Sequence, residues 1–192
     1  MRRKLIFLRD CTTQECILGA TPFAGIPTLP DKSAIRGEKR TEQMSASSLS
    51  RADRIAIEHE CEKLVRLYAL YVDAGDYDLL GALFAKEAAF ARPTDPENPI
   101  AGRDAIVAGF RKRPTDRITR HIISACVIEV DDSASAHGQS YMALYQGPRG
   151  GEGEATVIDK PVMIGGFEDR FVFEDGAWRF LVRAGNLALK SA

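Results

Sequence analysis

Apolar positions fall into a clear rhythm only from about residue 50 onward. In "SRADRIAIEHECEKLVRLYALYVDAG", Ile57, Cys61, Leu64, Tyr68 and Tyr71 recur at steps of four and three. That spacing lays one apolar stripe along an α-helix. Ser50 stands before it as N-cap with Asp53 at the capping-box position, and Gly75 supplies the stop. Asp76 then caps a second, short helix whose buried face is Leu79, Leu80, Leu83 and Phe84. "KEAAFARP" reads as a short strand running into a Pro-rich loop, "PTDPENP", and "GRDAIVAGFRKR" as a third helix that stops before Pro114.

Beyond that helix the pattern changes to strands. "RITRHIISACVIEVDD" is long and β-branched, and "SASAHGQSYMALYQG" follows a tight turn. "PVMIGGFEDRFVFEDGAWRFLVRAGNLAL" divides into two strands at Glu174-Asp175-Gly176, a hairpin signal. Three helices followed by about four long antiparallel strands predict an α+β domain, with the helices packed on one curved sheet. No βαβ alternation points to a dinucleotide fold. The linker "GPRGGEGEATVIDKP" reads as a surface connection or as a lid over a pocket. It lacks the Lys-Ser/Thr ending of a phosphate loop, and Glu152 and Glu154 would repel phosphate.

Residues 1–45 carry no sustained period and are punctuated by Pro22, Pro27 and Pro30. They hold eight Lys/Arg against five Asp/Glu, whereas the rest of the chain holds 18 against 22. This segment reads as a disordered extension, with Met44 offering a later natural start, and residues 46–192 as the folded domain. "MRRKLIFLRD" imitates a signal start, but its apolar run is about half the roughly seven residues an h-region needs. No run approaches the roughly 18 apolar residues of a membrane span.

Composition narrows the function classes. The 192 residues are 45% hydrophobic and 28% charged with a net charge of -1, which argues against a general nucleic-acid or membrane binder. Cys11, Cys16, Cys61 and Cys126 form no CxxC pair and read as reduced cytosolic thiols. No trio of His and acid has metal-ligand spacing, so neither a metal nor a cofactor is expected. The basic run Arg111, Lys112, Arg113, Arg117 and Arg120 is read as a solvated helix end. His59 and His137 lie in polar surroundings and are expected at the surface.

The chemistry gathers around one oddly placed acid. Asp73 ends the first helix, where the macrodipole disfavours a carboxylate by roughly 0.3–1 kcal/mol. His121 is the titrating group of a mostly apolar strand, and period two puts it on a face with Ile123, Ala125 and Val127. A carboxylate bonded to one ring nitrogen would leave the other as a base for a carbon acid, while a phenol donates to a carbonyl or a departing hydroxyl. Tyr68 is five residues from Asp73, about 140° around a helix, so the two converge only where a pocket spans the helix end or the chain unwinds at Gly75. Each group also has a plainer role. His121 and Tyr68 would serve the core, Asp73 the Gly75 turn, and Arg183 an ion pair with Glu168 or Asp169.

The order helix, helix, short strand, helix, long-stranded sheet resembles the cone-shaped nuclear transport factor 2-like superfamily. More narrowly it resembles the SnoaL-like branch, which includes scytalone dehydratase and the bile acid dehydratases. The carriers are "LYALYVDAGDYDLLGALFA", "IAGRDAI", "TRHIISACVIEV" and "GAWRFLVR" over about residues 50 to 190. The resemblance implies a cone-like α+β barrel and a catalytic group of Tyr68, Asp73, His121 and Arg183, with Arg183 orienting the substrate at a pocket mouth. Many relatives read His-x-x-x-Asn on the strand; here Ala125 replaces the Asn, removing a polar pocket contact. The implied function is a cofactor-independent lyase, a dehydratase, or an isomerase, acting on a hydrophobic polycyclic or aromatic carbonyl compound in the cytoplasm. The alternatives are a non-catalytic ligand-binding or dimerisation module and the small subunit of a ring-hydroxylating dioxygenase. Strands such as "FEDRFVF", apolar on one face and charged on the other, predict self-association through one face of the sheet, as a dimer or, following the dehydratases, a trimer.

Overall fold

The computed structural model describes residues 49–151, 153–158 and 162–191. The 1–45 extension lies outside them. Helix α1 runs Arg51–Ala74. Its capping box is complete: the Ser50 Oγ accepts the Asp53 N–H at 3.1 Å, and the Asp53 carboxylate accepts the Ser50 N–H at 3.2 Å. Ile57, Cys61, Leu64 and Tyr68 are buried as the period predicts, but the stripe continues through Val72, and Tyr71 is only half-buried. Gly75 closes the helix at φ 79°, a conformation open to glycine without a side-chain clash.

Helix α2 is the short turn Tyr77–Ala82. Asp76 precedes it but makes no side-chain cap bond. Leu80, Leu83 and Phe84 point inward, whereas Leu79 is 51% exposed, so the expected four-residue face has three members. Helix α3 spans Arg103–Arg111 and buries Ile106 and Phe110.

Six strands form one sheet: β1 Phe84–Arg92, β2 Asp95–Ala101, β3 Arg117–Val130, β4 Ser135–Pro148, β5 Met163–Glu174 and β6 Ala177–Lys190. Their order is β2-β1-β6-β5-β4-β3, antiparallel throughout except for the parallel β1–β6 pair. The expected loop "PTDPENP" is mostly strand β2. Pro96 and Pro99 cannot donate to a ladder, and an edge position tolerates that. The β5–β6 turn is Asp175-Gly176 with both φ positive, at 51° and 76°, the primed turn that matches strand twist. Gly185 on β6 lets the Pro93 ring come so close that a Cβ would meet it at 2.5 Å, which fixes the β1–β2 connection over the sheet.

Strand β3 contains a bulge between Ser124 and Val127, with Ala125 at φ 46°. Before it, Thr119, His121 and Ile123 turn inward; after it, Cys126, Ile128 and Val130 do. The extra residue shifts the period-two phase. Val127 therefore does not share the His121 face and is 54% exposed, and Ala125 is exposed as well. Helix α1 packs across β3, β4 and β6. Between helix and sheet, Tyr68 touches Phe84, Phe90, Phe110, Phe167 and Phe180 at centroid distances of 5.7–6.4 Å. Among the described residues no helix is long and apolar enough to cross a membrane.

Candidate active site

The C-terminal end of α1, the last turn of α3 and the inner face of β3 and β4 enclose a cavity of about 700 Å³. Tyr68, Val72, Asp73, Gly75 and Tyr77 line it from the helix side, which is how two residues about 140° apart on one helix come to share it. The space sits at the helix end rather than along one face.

Asp73 meets β3 with both carboxylate oxygens. Oδ1 lies 2.6 Å from His121 Nδ1 and accepts the Thr119 hydroxyl at 2.9 Å, while Oδ2 accepts the His121 backbone N–H at 2.8 Å. The His121 and Asp73 side chains are only 7% and 10% exposed. Burial pushes the Asp73 carboxyl up, but the ring and backbone hydrogen bonds from His121, its charge and the Thr119 hydroxyl outweigh this and hold it below its usual range. A depressed carboxyl contributes stability above its unfolded pKa of about 4, lost as pH falls through the folded value. With Nδ1–H donating to Asp73, Nε2 is the ring nitrogen left to exchange a proton.

Tyr68 shares this cavity but is 3% exposed and serves as the centre of the aromatic core. Burial pushes its phenol up to about 12, against the opposing charges of Arg183 and Arg113, so at neutral pH it stays protonated and able to donate a hydrogen bond. Arg183 is placed differently from the pocket-mouth position that the resemblance implies. It is fully buried, lies outside the cavity lining, and pairs with Asp169 on the neighbouring strand at 2.6 Å. Its guanidinium carbon stands 4.2 Å from the Tyr68 ring centre, 3.9 Å from that of Phe167 and 4.7 Å from that of Phe180. Arg183 thus backs Tyr68 instead of facing the cavity. The reason is register: Asp169 and Arg183 are direct partners across β5 and β6, and both turn inward.

Two groups of site residues escape a reading of the sequence. Thr119 anchors Asp73, and its signal was the i, i+2 spacing to His121 on one strand face. Lys112, Arg113 and Arg117, expected to be a solvated helix end, line the cavity together with Arg92 and Arg149. Arg149 is the one described residue of the Gly-rich linker to reach it. His59 and His137 are exposed, and His137 is held by Asp131 at 2.9 Å. Cys61 and Cys126 are free thiols. Among the described residues no cluster of three or more His, Cys, Asp or Glu is placed to hold a metal ion.

A helical layer on a mixed, mostly antiparallel six-stranded sheet, with a carboxylate–imidazole pair in a cavity between them, defines an α+β domain of the nuclear transport factor 2-like type. The chain belongs to the SnoaL-like domain family, whose model matches residues 53–184. Its fold is similar to that of a scytalone dehydratase candidate from Novosphingobium aromaticivorans DSM 12444, with 19% identity over 74% of this chain and 91% of the other and a TM-score of 0.60. A nuclear transport factor 2-like protein with a cystatin-like fold from Novosphingobium aromaticivorans is similar at 19% identity over 70% and 83%, TM-score 0.56. So is the hexachlorocyclohexane dehydrochlorinase LinA type 2, at 14% identity over 74% and 92%, TM-score 0.60. No curated protein matches the chain in sequence.

Proposed function

We propose that this chain is a cofactor-independent lyase, a dehydratase, or an isomerase, that moves a proton on a hydrophobic, carbonyl-bearing polycyclic or aromatic substrate. The observation that carries the reading is the 2.6 Å contact between Asp73 and His121 Nδ1 in the wall of a roomy cavity. The family membership and the lyase-type names of two structural neighbours support the class.

Asp73 fixes the imidazole in the tautomer with Nε2 free and stabilises the imidazolium that forms. Nε2 takes the proton from the carbon beside the carbonyl. Charge then develops on the carbonyl oxygen, where the Tyr68 phenol donates a hydrogen bond. In dehydration the imidazolium returns that proton to the departing hydroxyl; in isomerisation it returns it to another carbon. Either way atoms and charge balance, and the enzyme ends as it began.

The test uses bicyclic β-hydroxyketones and β,γ-unsaturated ketones, each with and without a carboxylate, with elimination or double-bond migration followed by the ultraviolet absorbance of the conjugated enone. His121→Ala and Asp73→Asn are each expected to lose about 10²–10⁴-fold in turnover. The double variant should be little worse than either, because the two groups act as one unit. Neither reaction faster than in buffer, or full turnover in both single variants, sinks the reading.

A further inference from the structure

The cavity is electrically one-sided. Among the described residues, Arg92, Lys112, Arg113, Arg117 and Arg149 line it, and Asp73 is the single acid that does. Asp73 is already taken by His121 and Thr119. The bias does not follow from composition, since the chain after residue 45 holds 22 acids against 18 Lys/Arg. A cationic wall in an acidic domain is a local arrangement.

The cations are unequally committed. Arg117 contacts Asp116 at 3.1 Å, and Arg149 donates to the Thr115 and Arg117 carbonyls. Arg92 and Lys112 have neither a side-chain hydrogen bond nor an ion pair among the described residues. Arg113 is half-buried, and its hydrogen-bond partner there is the Thr119 hydroxyl at a long 3.5 Å. Its charge reaches the Tyr68 phenol. Arg113 therefore stands inside the cavity, beside the hydroxyl that anchors Asp73, with its directed donors unmatched by any acid among the described residues. A cleft lined by one sign of charge focuses the field and concentrates ligands of the opposite sign. A planar guanidinium offers a fork that fits a carboxylate or other oxyanion.

We infer that the ligand of this cavity carries an oxyanion, a carboxylate being the simplest, which Arg113 holds with Arg92 and Lys112 at the rim. Its apolar body lies against Phe90, Phe110 and Phe167, which line the same space. This rests on the proposed function and narrows its substrate class to acidic carbonyl compounds, such as aromatic or polycyclic keto acids.

Binding of 2-naphthoate is compared with that of the neutral 2-naphthamide by calorimetry at pH 8 and low salt. The acid is expected to bind about tenfold or more tightly than the amide, since charge-assisted hydrogen bonds are roughly twice as strong as neutral ones. Raising the salt should shrink the difference. Arg113→Gln should abolish most of it, and the rim pair Arg92→Gln with Lys112→Gln serves if Arg113→Gln fails to fold. Arg111→Gln, whose side chain pairs with Asp78 outside the lining, should leave it unchanged. His121→Ala removes the proposed base but no cation of the wall, and it should keep the preference for the acid. Equal affinities, no binding of naphthoate, or a preference that survives loss of Arg113 and of the rim pair each overturn the inference. The His121→Ala turnover assay is read separately and judges only the proton-transfer chemistry.

Discussion

Removing Asp169 should unfold the domain far more readily than removing the whole ion pair. Asp169→Ala leaves Arg183 with no acid, fully buried, while its Nε and Nη2 already lack partners in the wild type. Three rings within 3.9–4.7 Å block relaxation toward water. An uncompensated buried charge costs about 3–5 kcal/mol. At about 2–4 °C per kcal/mol for a domain of this size, Tm should fall by roughly 6–20 °C. Burial raises the Asp169 carboxyl to about 6 even beside Arg183. A raised carboxyl contributes stability below its unfolded pKa of about 4 that is lost as pH rises through about 6. At pH 7 the ionised pair is thus a poor stabiliser, so Asp169→Leu with Arg183→Met should lose much less than Asp169→Ala alone. Thermal melts by circular dichroism at pH 7 measure all three. Loss of under about 3 °C in Asp169→Ala, or a double variant no more stable than Asp169→Ala, would refute the reasoning.

Two further outcomes concern the sheet. Ala125 sits at φ 46°, costly for a residue with a Cβ, so Ala125→Gly should raise Tm by the equivalent of about 1 kcal/mol, read in the same melts. The outer face is expected to pair with a second copy of the chain: Ile122, Ala143, Ile164 and Leu189 lie in one cross-strand row, and Ile122, Tyr141 and Leu189 are 53%, 63% and 63% exposed. Sedimentation should show a dimer, or a trimer, that Tyr141→Arg with Ile122→Glu converts to monomer; a wild-type monomer at micromolar concentration removes the expectation.

Local signals made much of this molecule legible. The capping box at Ser50, the stop at Gly75, the four long strands and the Asp175-Gly176 turn all depend on neighbouring residues, and the structure has each where the pattern puts it. Strand β2 was hidden because two prolines look like a loop unless the segment is known to be an edge. At the site, the resemblance placed Asp73 and His121 48 residues apart in sequence on facing elements, and the two do touch. Arg183 was harder: from sequence, a strand arginine beside a pocket and one buried against Asp169 look the same, and strand phase separates them. The basic run is solvated as expected, with Arg113 alone half-buried, but that Lys112, Arg113 and Arg117 also line the cavity was not legible, for a similar reason. A basic run after a helix reads as no more than solvated until the space into which the helix ends is known.

The bulge at Ala125 divides strand β3 into two pieces with separate obligations. The first half turns Thr119 and His121 toward the cavity, and the second turns Cys126, Ile128 and Val130 toward the packed interior under α1. A continuous strand would tie these together, because the parity that aims His121 inward would also send Val127 and Glu129 inward and leave Ile128 outside. One extra residue breaks that tie. Ser124 and Val127 are three residues apart where their partners Tyr141 and Gln139 are two apart, so the loss of one residue at the joint would leave both halves paired and facing as they are, while the same loss elsewhere in β3 would turn part of it over.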